Sequence, residues 1–139
     1  MIDTGVVVAG IFWRNEPRQC LAALARRRFR LLVTDAILRE YQRVVWEVKD
    51  EEGLELDPGP ALTWIQRKAR RIQPVELPQP TCRDSGDDKF LECALVSSGT
   101  YLVSRDADLL TLGRPFGIRI VTPRQFLAVL AQVQKRPRR

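Results

Sequence analysis

The residues of this sequence that could do chemistry are carboxylates. Asp3 follows a very short apolar start, Met1-Ile2. Asp106 and Asp108 follow the run "TYLVS" (Thr100–Ser104). Glu40 lies about one turn into a helical pattern that follows "RLLVT" (Arg30–Thr34). Asp87 and Asp88 open a further helical pattern, "DDKFLECALVSSG", which leads into "TYLVS". The chain has no histidine, which removes Ser-His-Asp, Cys-His and His-metal chemistry. Cys20, Cys82 and Cys93 are scattered without a C-x-x-C pair. That argues against a zinc site or a disulfide frame and suits a reducing cytoplasm. Acid–base or metal work therefore falls to the acids. Two carboxylates about 5 Å apart repel by roughly 3 kcal/mol at an effective dielectric near 20. Several gathered together either protonate or surround a divalent cation. Hard oxygen donors without imidazole favour Mg²⁺ or Mn²⁺, an ion that acidifies bound water and neutralises charge developing on a phosphodiester.

Each acid also has a plainer role open to it. Asp35 and Asp87 are expected as helix caps, Glu40 as a solvated helix charge beside Arg39 or Arg43, and Asp108 as a turn residue. The triplet Asp3-Thr4-Gly5 matches the aspartic-protease signature, but the element pattern below cannot build that all-β fold. Neither G-x-x-x-x-G-K-[ST] nor G-x-G-x-x-G occurs. A haloacid-dehalogenase-type phosphatase needs a second aspartate two residues after Asp3, where Gly5 stands. A receiver domain needs a lysine after a late strand, where this chain has Arg105-Asp106 or Thr122.

The elements that must position these acids alternate. "RLLVT", "TYLVS" and "IRIV" (Ile118–Val121) read as short buried strands. Asn15 and Pro17 open a helix over "PRQCLAALARRRF". Ile37, Leu38, Tyr41, Val44, Val45 and Val48 keep helical spacing. "PALTWIQRKARRI" reads as a helix from Pro60 to Ile72. Thr122-Pro123-Arg124-Gln125 reads as a capping box opening the last helix. "QPVELPQPTCRDSG" is a proline-rich connection. Strands alternating with helices predict an α/β fold with a central parallel sheet covered on both faces. In such a sheet the site lies at the carboxyl ends of the strands, where the acids fall. A single domain over residues 1–132 is expected, with a basic tail over 133–139. Among 139 residues, Lys and Arg number 23 against 17 Asp and Glu, a net charge of +6, which suits a polyanionic partner. Arg67, Lys68, Arg70 and Arg71 form a basic stretch that is a candidate RNA guide or, equally, a solvated helix face. With no apolar run of roughly 18 residues, no membrane partner is expected.

The segments "IDTGVVVAG", "LLVTDAILREYQRVV", "CRDSGDDKFLECAL", "YLVSRDADLL" and "GIRIVTPRQFL" stand in the order found in PIN-domain proteins. The chain resembles that family over roughly Met1 to Leu130. The resemblance is nearest to the branch described as toxin components of toxin–antitoxin systems, relatives of VapC-type toxins. It implies a three-layer α/β/α sandwich and Mg²⁺- or Mn²⁺-dependent cleavage of single-stranded RNA. It also implies a cytoplasmic location and a small antitoxin partner, with a homodimer as a further expectation. By position it implies Asp3, Glu40, Asp88 and Asp106 as metal-binding catalytic acids. Asp87 and Asp108 are candidate extra ligands, and Ser104 is the small hydroxyl residue just ahead of the last acid. The family usually carries asparagine where this chain has Gly5, and more strand residues ahead of the first aspartate. The alternative implied by those departures is a degenerate PIN domain that binds RNA or protein without cutting.

Overall fold

The structure is a computed structural model and describes residues 1–73, 100–112 and 115–135. The elements in chain order are α1 (Thr4–Phe12), α2 (Glu16–Ala25), β1 (Leu32–Val33), α3 (Asp35–Glu52), α4 (Gly59–Lys68), β2 (Arg70–Arg71), β3 (Tyr101–Val103), α5 (Ala107–Leu110), β4 (Arg119–Val121) and α6 (Pro123–Lys135). A 3₁₀ turn, Pro115–Gly117, precedes β4.

The described strands are short and pair in parallel, as the alternating pattern predicts. They form two pairs rather than one continuous sheet. Leu32 and Val33 of β1 stand opposite Arg70 and Arg71 of β2. Tyr101, Leu102 and Val103 of β3 stand opposite Arg119, Ile120 and Val121 of β4. Ile2 adds a parallel bridge to Val103 on the other side of β3. The Val103 N–H donates to the Met1 carbonyl and the Asp3 N–H to the Val103 carbonyl, both at 2.9 Å. Asp3 therefore leaves the first extended segment at its carboxyl end. Asp106 follows β3 at the same end.

Helix α1 has no counterpart among the sequence expectations. Val6, Val7, Val8, Ala9, Gly10 and Ile11 are all buried, so the helix is apolar all round and shows no 3.6-residue period. Its close neighbour is α2. A Cβ on Gly10 would stand 2.7 Å from Leu21 Cδ1 and 3.0 Å from the Pro17 carbonyl oxygen, so only glycine permits this approach. Arg18 of α2 donates to the Gly10 and Ile11 carbonyls at 3.1 and 2.7 Å. It thereby satisfies carbonyls at the carboxyl end of α1 and places a cation at its negative pole.

The other helix ends follow the sequence signals with two corrections. Asn15 caps α2, accepting from the Arg18 N–H at 3.3 Å, with proline in the first turn. Thr122 and Gln125 form the reciprocal capping box: the Thr122 N–H donates to Gln125 Oε1 at 2.9 Å and the Gln125 N–H to Thr122 Oγ1 at 3.2 Å. Helix α3, however, is capped by Thr34, whose hydroxyl accepts from the Ile37 N–H. Asp35 is the first helical residue instead, where its charge still favours the helix amino end. Helix α4 ends at Lys68, and Arg70–Arg71 are extended, paired with β1. The basic residues there had read as a continuing helix because charge carries no period.

The core runs from Ile2, Val6 and Val7 through Leu31, Val33, Ile37, Tyr41 and Val45 to Leu62, Ile65, Leu102 and Leu109. Ile37, Tyr41 and Val45 form the buried stripe of α3, with Leu38, Val44 and Val48 at its margins. Among the described residues, no helix is long and apolar enough to cross a membrane. Cys20 is buried in this core, and its thiol is pushed up to about 11 by burial and by the Glu16 carboxylate. A thiol held protonated in this way is no nucleophile.

Candidate functional site

The first acid is positioned by backbone pairing and by two hydrogen bonds. Asp3 is the N-cap of α1: its Oδ1 accepts from the Thr4 N–H at 2.9 Å. Its Oδ2 accepts from the Ser104 hydroxyl at 2.9 Å, and the same hydroxyl oxygen accepts from the Asp106 N–H at 2.9 Å. Ser104 is completely buried. It ties the two chain segments that carry Asp3 and Asp106 through one oxygen. Asp106 in turn caps α5, with its Oδ1 accepting from the Asp108 N–H at 2.8 Å.

Glu40 reaches the same place from α3. Its carboxylate accepts from the Thr4 hydroxyl. The next residue, Tyr41, is buried and donates its hydroxyl to the Ile2 carbonyl. Two successive residues of one helix thus hold the chain on either side of Asp3. Arg43, one of the two arginines open to Glu40 as a neighbour, pairs with Glu47 at 3.1 Å.

Asp3, Glu40 and Asp106 line a cavity of about 370 Å³, together with Thr4, Gly5, Val6, Val44 and Arg105. The electrostatics of the cavity register this meeting. Burial raises the Asp3 carboxyl above its ordinary value of 3.8, and the charges of Asp106 and Glu40 raise it further. The bonds from Ser104 and the Thr4 N–H pull in the opposite direction. Among the described residues no three acids stand close enough to enclose a metal ion by themselves. Asp87 and Asp88 lie outside the described residues. Asp108 is exposed on α5 and does not line the cavity. The basic stretch divides. Arg71 lies 3.7 Å from Asp35, whereas Arg67 and Lys68 line a different cavity with Arg27 and Arg30. Arg70 is exposed.

Gly5 occupies the first turn of α1 in helical conformation, not in left-handed backbone. Nothing stands within 4 Å of the Cβ it lacks. Sequence reasoning did not single out Thr4, Tyr41 or Arg105. A threonine directly after an acid and an arginine directly before one were the available signals. Tyr41 gave a weaker one, a polar tip on an otherwise apolar stripe.

The donor set is all oxygen and anionic, which fits a hard divalent cation rather than a soft one. Both Asp3 oxygens already accept one bond each, and each retains a lone pair. Arg105 sets a cation at the rim, suited to a phosphate. No curated protein and no solved structure matches the chain. A family model described as "PIN domain" matches residues 1–108, a span that takes in α1, α3, β3 and the three acids of the cavity, and the chain belongs to the PIN-domain family.

Proposed function

We propose that this chain is a metal-dependent endoribonuclease acting on single-stranded RNA, the toxin half of a toxin–antitoxin pair. PIN domains are typically metal-dependent nucleases, and PIN nucleases bind RNA. The observation that carries the reading is the shared cavity of Asp3, Glu40 and Asp106, with the Asp3 carboxyl raised by burial and by its two acidic neighbours. Asp3, Glu40 and Asp106, joined by Asp88, would hold Mg²⁺ or Mn²⁺. Bound there, the ion supplies an acidified water and neutralises charge on the scissile phosphate. The chain's own residues do the rest. Ser104 fixes Asp3 against Asp106, Thr4 fixes Glu40, and Arg105 orients the phosphodiester. Displacement at phosphorus is in line, with a carboxylate receiving the attacking water's proton and the ribose oxygen leaving.

The same reading treats the two strand pairs as parts of one central sheet in a three-layer sandwich. It takes residues 1–132 as one domain with a basic tail, and a cytoplasmic antitoxin protein as partner. Support for the partner would be an adjacent small reading frame whose product suppresses the chain's activity. The second reading, a PIN domain that binds without cutting, is favoured by Gly5, which offers Asp3 no side-chain amide. One experiment separates the two. Purified protein is incubated with single-stranded RNA with Mg²⁺, with Mn²⁺ and with chelator. Metal-dependent cleavage that Asp106→Asn abolishes supports the nuclease. Undiminished RNA in every lane, with retained RNA binding, supports the binding module.

A further inference from the structure

Strand pairing brings two runs of basic residues side by side. Arg26, Arg27, Arg28 and Arg30 lead into β1, while Arg67, Lys68, Arg70 and Arg71 lead into and form β2. The strands are parallel, and the Arg70 N–H donates to the Leu31 carbonyl at 2.8 Å. Parallel pairing places the two amino ends at one edge, so the residues ahead of each strand become neighbours. There Arg27, Arg30, Arg67 and Lys68 line a cavity of about 620 Å³ with Leu24 and Phe29. No acid lines it. Among the described residues, no ion pair or side-chain hydrogen bond engages any of these four cations. Arg28 belongs elsewhere, donating to the Leu130 carbonyl at 3.2 Å.

The conformation of Arg27 is a second, independent observation. Helix α2 ends with the Arg28 N–H donating to the Ala23 carbonyl at 3.1 Å and the Arg27 N–H to the Leu24 carbonyl at 3.0 Å. This is the Schellman arrangement, whose left-handed residue is usually glycine because a Cβ is crowded there. Here that residue is Arg27, with φ at 57°, and among the described residues no other non-glycine has positive φ. Strain of this kind, where a glycine would relieve it, points to a function of the side chain it retains.

We propose that this cradle is an exosite for the phosphate backbone of single-stranded RNA. It lies at the amino ends of β1 and β2, at the opposite edge from Glu40, which follows the carboxyl end of β1. The chemistry favours RNA over an acidic protein segment. Protein docking rests on apolar anchors buried in pockets, but Leu24 is itself buried and Phe29 is half-buried. A phosphate chain needs unneutralised cations, which the cradle provides.

The test is anisotropy of a labelled oligouridylate with the full chain, in chelator, across a salt series. Chelator removes metal-dependent cutting, so the result stands apart from the nuclease reading. Arg67→Gln with Lys68→Gln is expected to weaken binding roughly tenfold. It should reduce the slope of log K against log salt by about 1.4, two phosphate contacts at about 0.7 each for single strands. Arg70→Gln with Arg71→Gln removes the same charge outside the cradle and is expected to change binding far less. Arg27→Gly is expected to weaken binding while leaving Tm equal or higher, because glycine relieves the left-handed backbone. Unchanged affinity and slope in the Arg67/Lys68 variant would overturn the exosite. So would equal losses from the Arg70/Arg71 variant, or oligoglutamate competing as well as oligouridylate, which would assign the cradle to an acidic protein segment.

Discussion

Replacing Ser104 by alanine removes one oxygen that serves two acids. The Ser104 hydroxyl donates to Asp3 Oδ2 and accepts from the Asp106 N–H, each at 2.9 Å, from a completely buried position. A hydrogen bond to a charged group contributes about 1.5–3 kcal/mol. Asp106 is exposed, so water can take over its N–H and adds little to the loss. Ser104→Ala should therefore cost about 2 kcal/mol near neutral pH, a fall in Tm of roughly 6–10 °C for a domain of this size. The effect should depend on pH in a definite direction. Asp3 is already raised above 3.8, first by burial and then by Asp106 and Glu40, and Ser104 opposes that rise. A carboxyl raised in the folded state binds its proton more tightly there than in the unfolded chain. The stability it contributes is full below the unfolded value and is lost as pH rises through the folded one. Removing Ser104 raises Asp3 further and deepens that loss. The Tm gap between wild type and Ser104→Ala should be widest near pH 7 and narrow toward pH 3.8. Thermal melts in chelator across that range read it directly. An equal gap at both ends would refute the reasoning and reduce Ser104 to a packing residue.

Asp106→Asn should raise the Tm of the metal-free protein, because it removes one of the charges that raise Asp3, and a melt in chelator measures this. Mg²⁺ should raise the Tm of the wild type, by about 1.4 kcal/mol of stability at ten times its Kd, and do so less for Asp106→Asn. Gly10→Ala should lose about 1–3 kcal/mol by overpacking, since the new methyl would meet the Pro17 carbonyl at 3.0 Å as well as Leu21; denaturant unfolding checks it. Gly5→Asn should tighten Mg²⁺ binding about 10–100-fold, the usual span for a supporting side chain at a metal site, while Gly5→Ala should not; calorimetric titration of both variants decides whether the amide or the mere loss of glycine matters.

Much of this arrangement was legible in the sequence wherever a local signal and its tertiary consequence coincide. Asn15-Glu16-Pro17 and Thr122 to Gln125 announce helix starts through side chains that bond their own backbone, so no distant contact is needed to read them. The stripe of Ile37, Tyr41 and Val45 follows from period alone. Helix α1 was illegible for the opposite reason: buried on every side, it carries no period to detect. Arg70–Arg71 were misplaced because two exposed arginines have no preference that outweighs the helix before them. Their extended state is imposed by bonds to Leu31 and Val33, some forty residues away in the chain. Thr34 rather than Asp35 as the α3 cap is a one-residue ambiguity between two good capping residues, settled by where β1 ends.

The short extended segment ahead of Asp3 is less of a weakness than its length implies. A metal ligand needs its backbone fixed, and strand length is only one means of fixing it. The Met1 amino group donates to the Tyr101 carbonyl at 2.7 Å, the Met1 carbonyl accepts from Val103, and the Asp3 N–H donates back to Val103. The Ile2 carbonyl is taken by the Tyr41 hydroxyl. After Asp3 the helix begins at once, and the Val6 and Val7 N–H groups both donate to the Asp3 carbonyl, at 3.0 and 3.2 Å. The Ile2 carbonyl and both backbone polar groups of Asp3 are thus engaged, and Ile2 itself is fully buried. What remains adjustable at Asp3 is the side chain, held by Ser104 and the Thr4 N–H. Substitutions at Ser104 and Gly5 should therefore act on the carboxylate's rotamer and charge, whereas Tyr41→Phe should act on the backbone beneath it. Tyr41→Phe leaves a buried carbonyl unpaired and should cost about 1–3 kcal/mol of stability with little change in how Asp3 titrates.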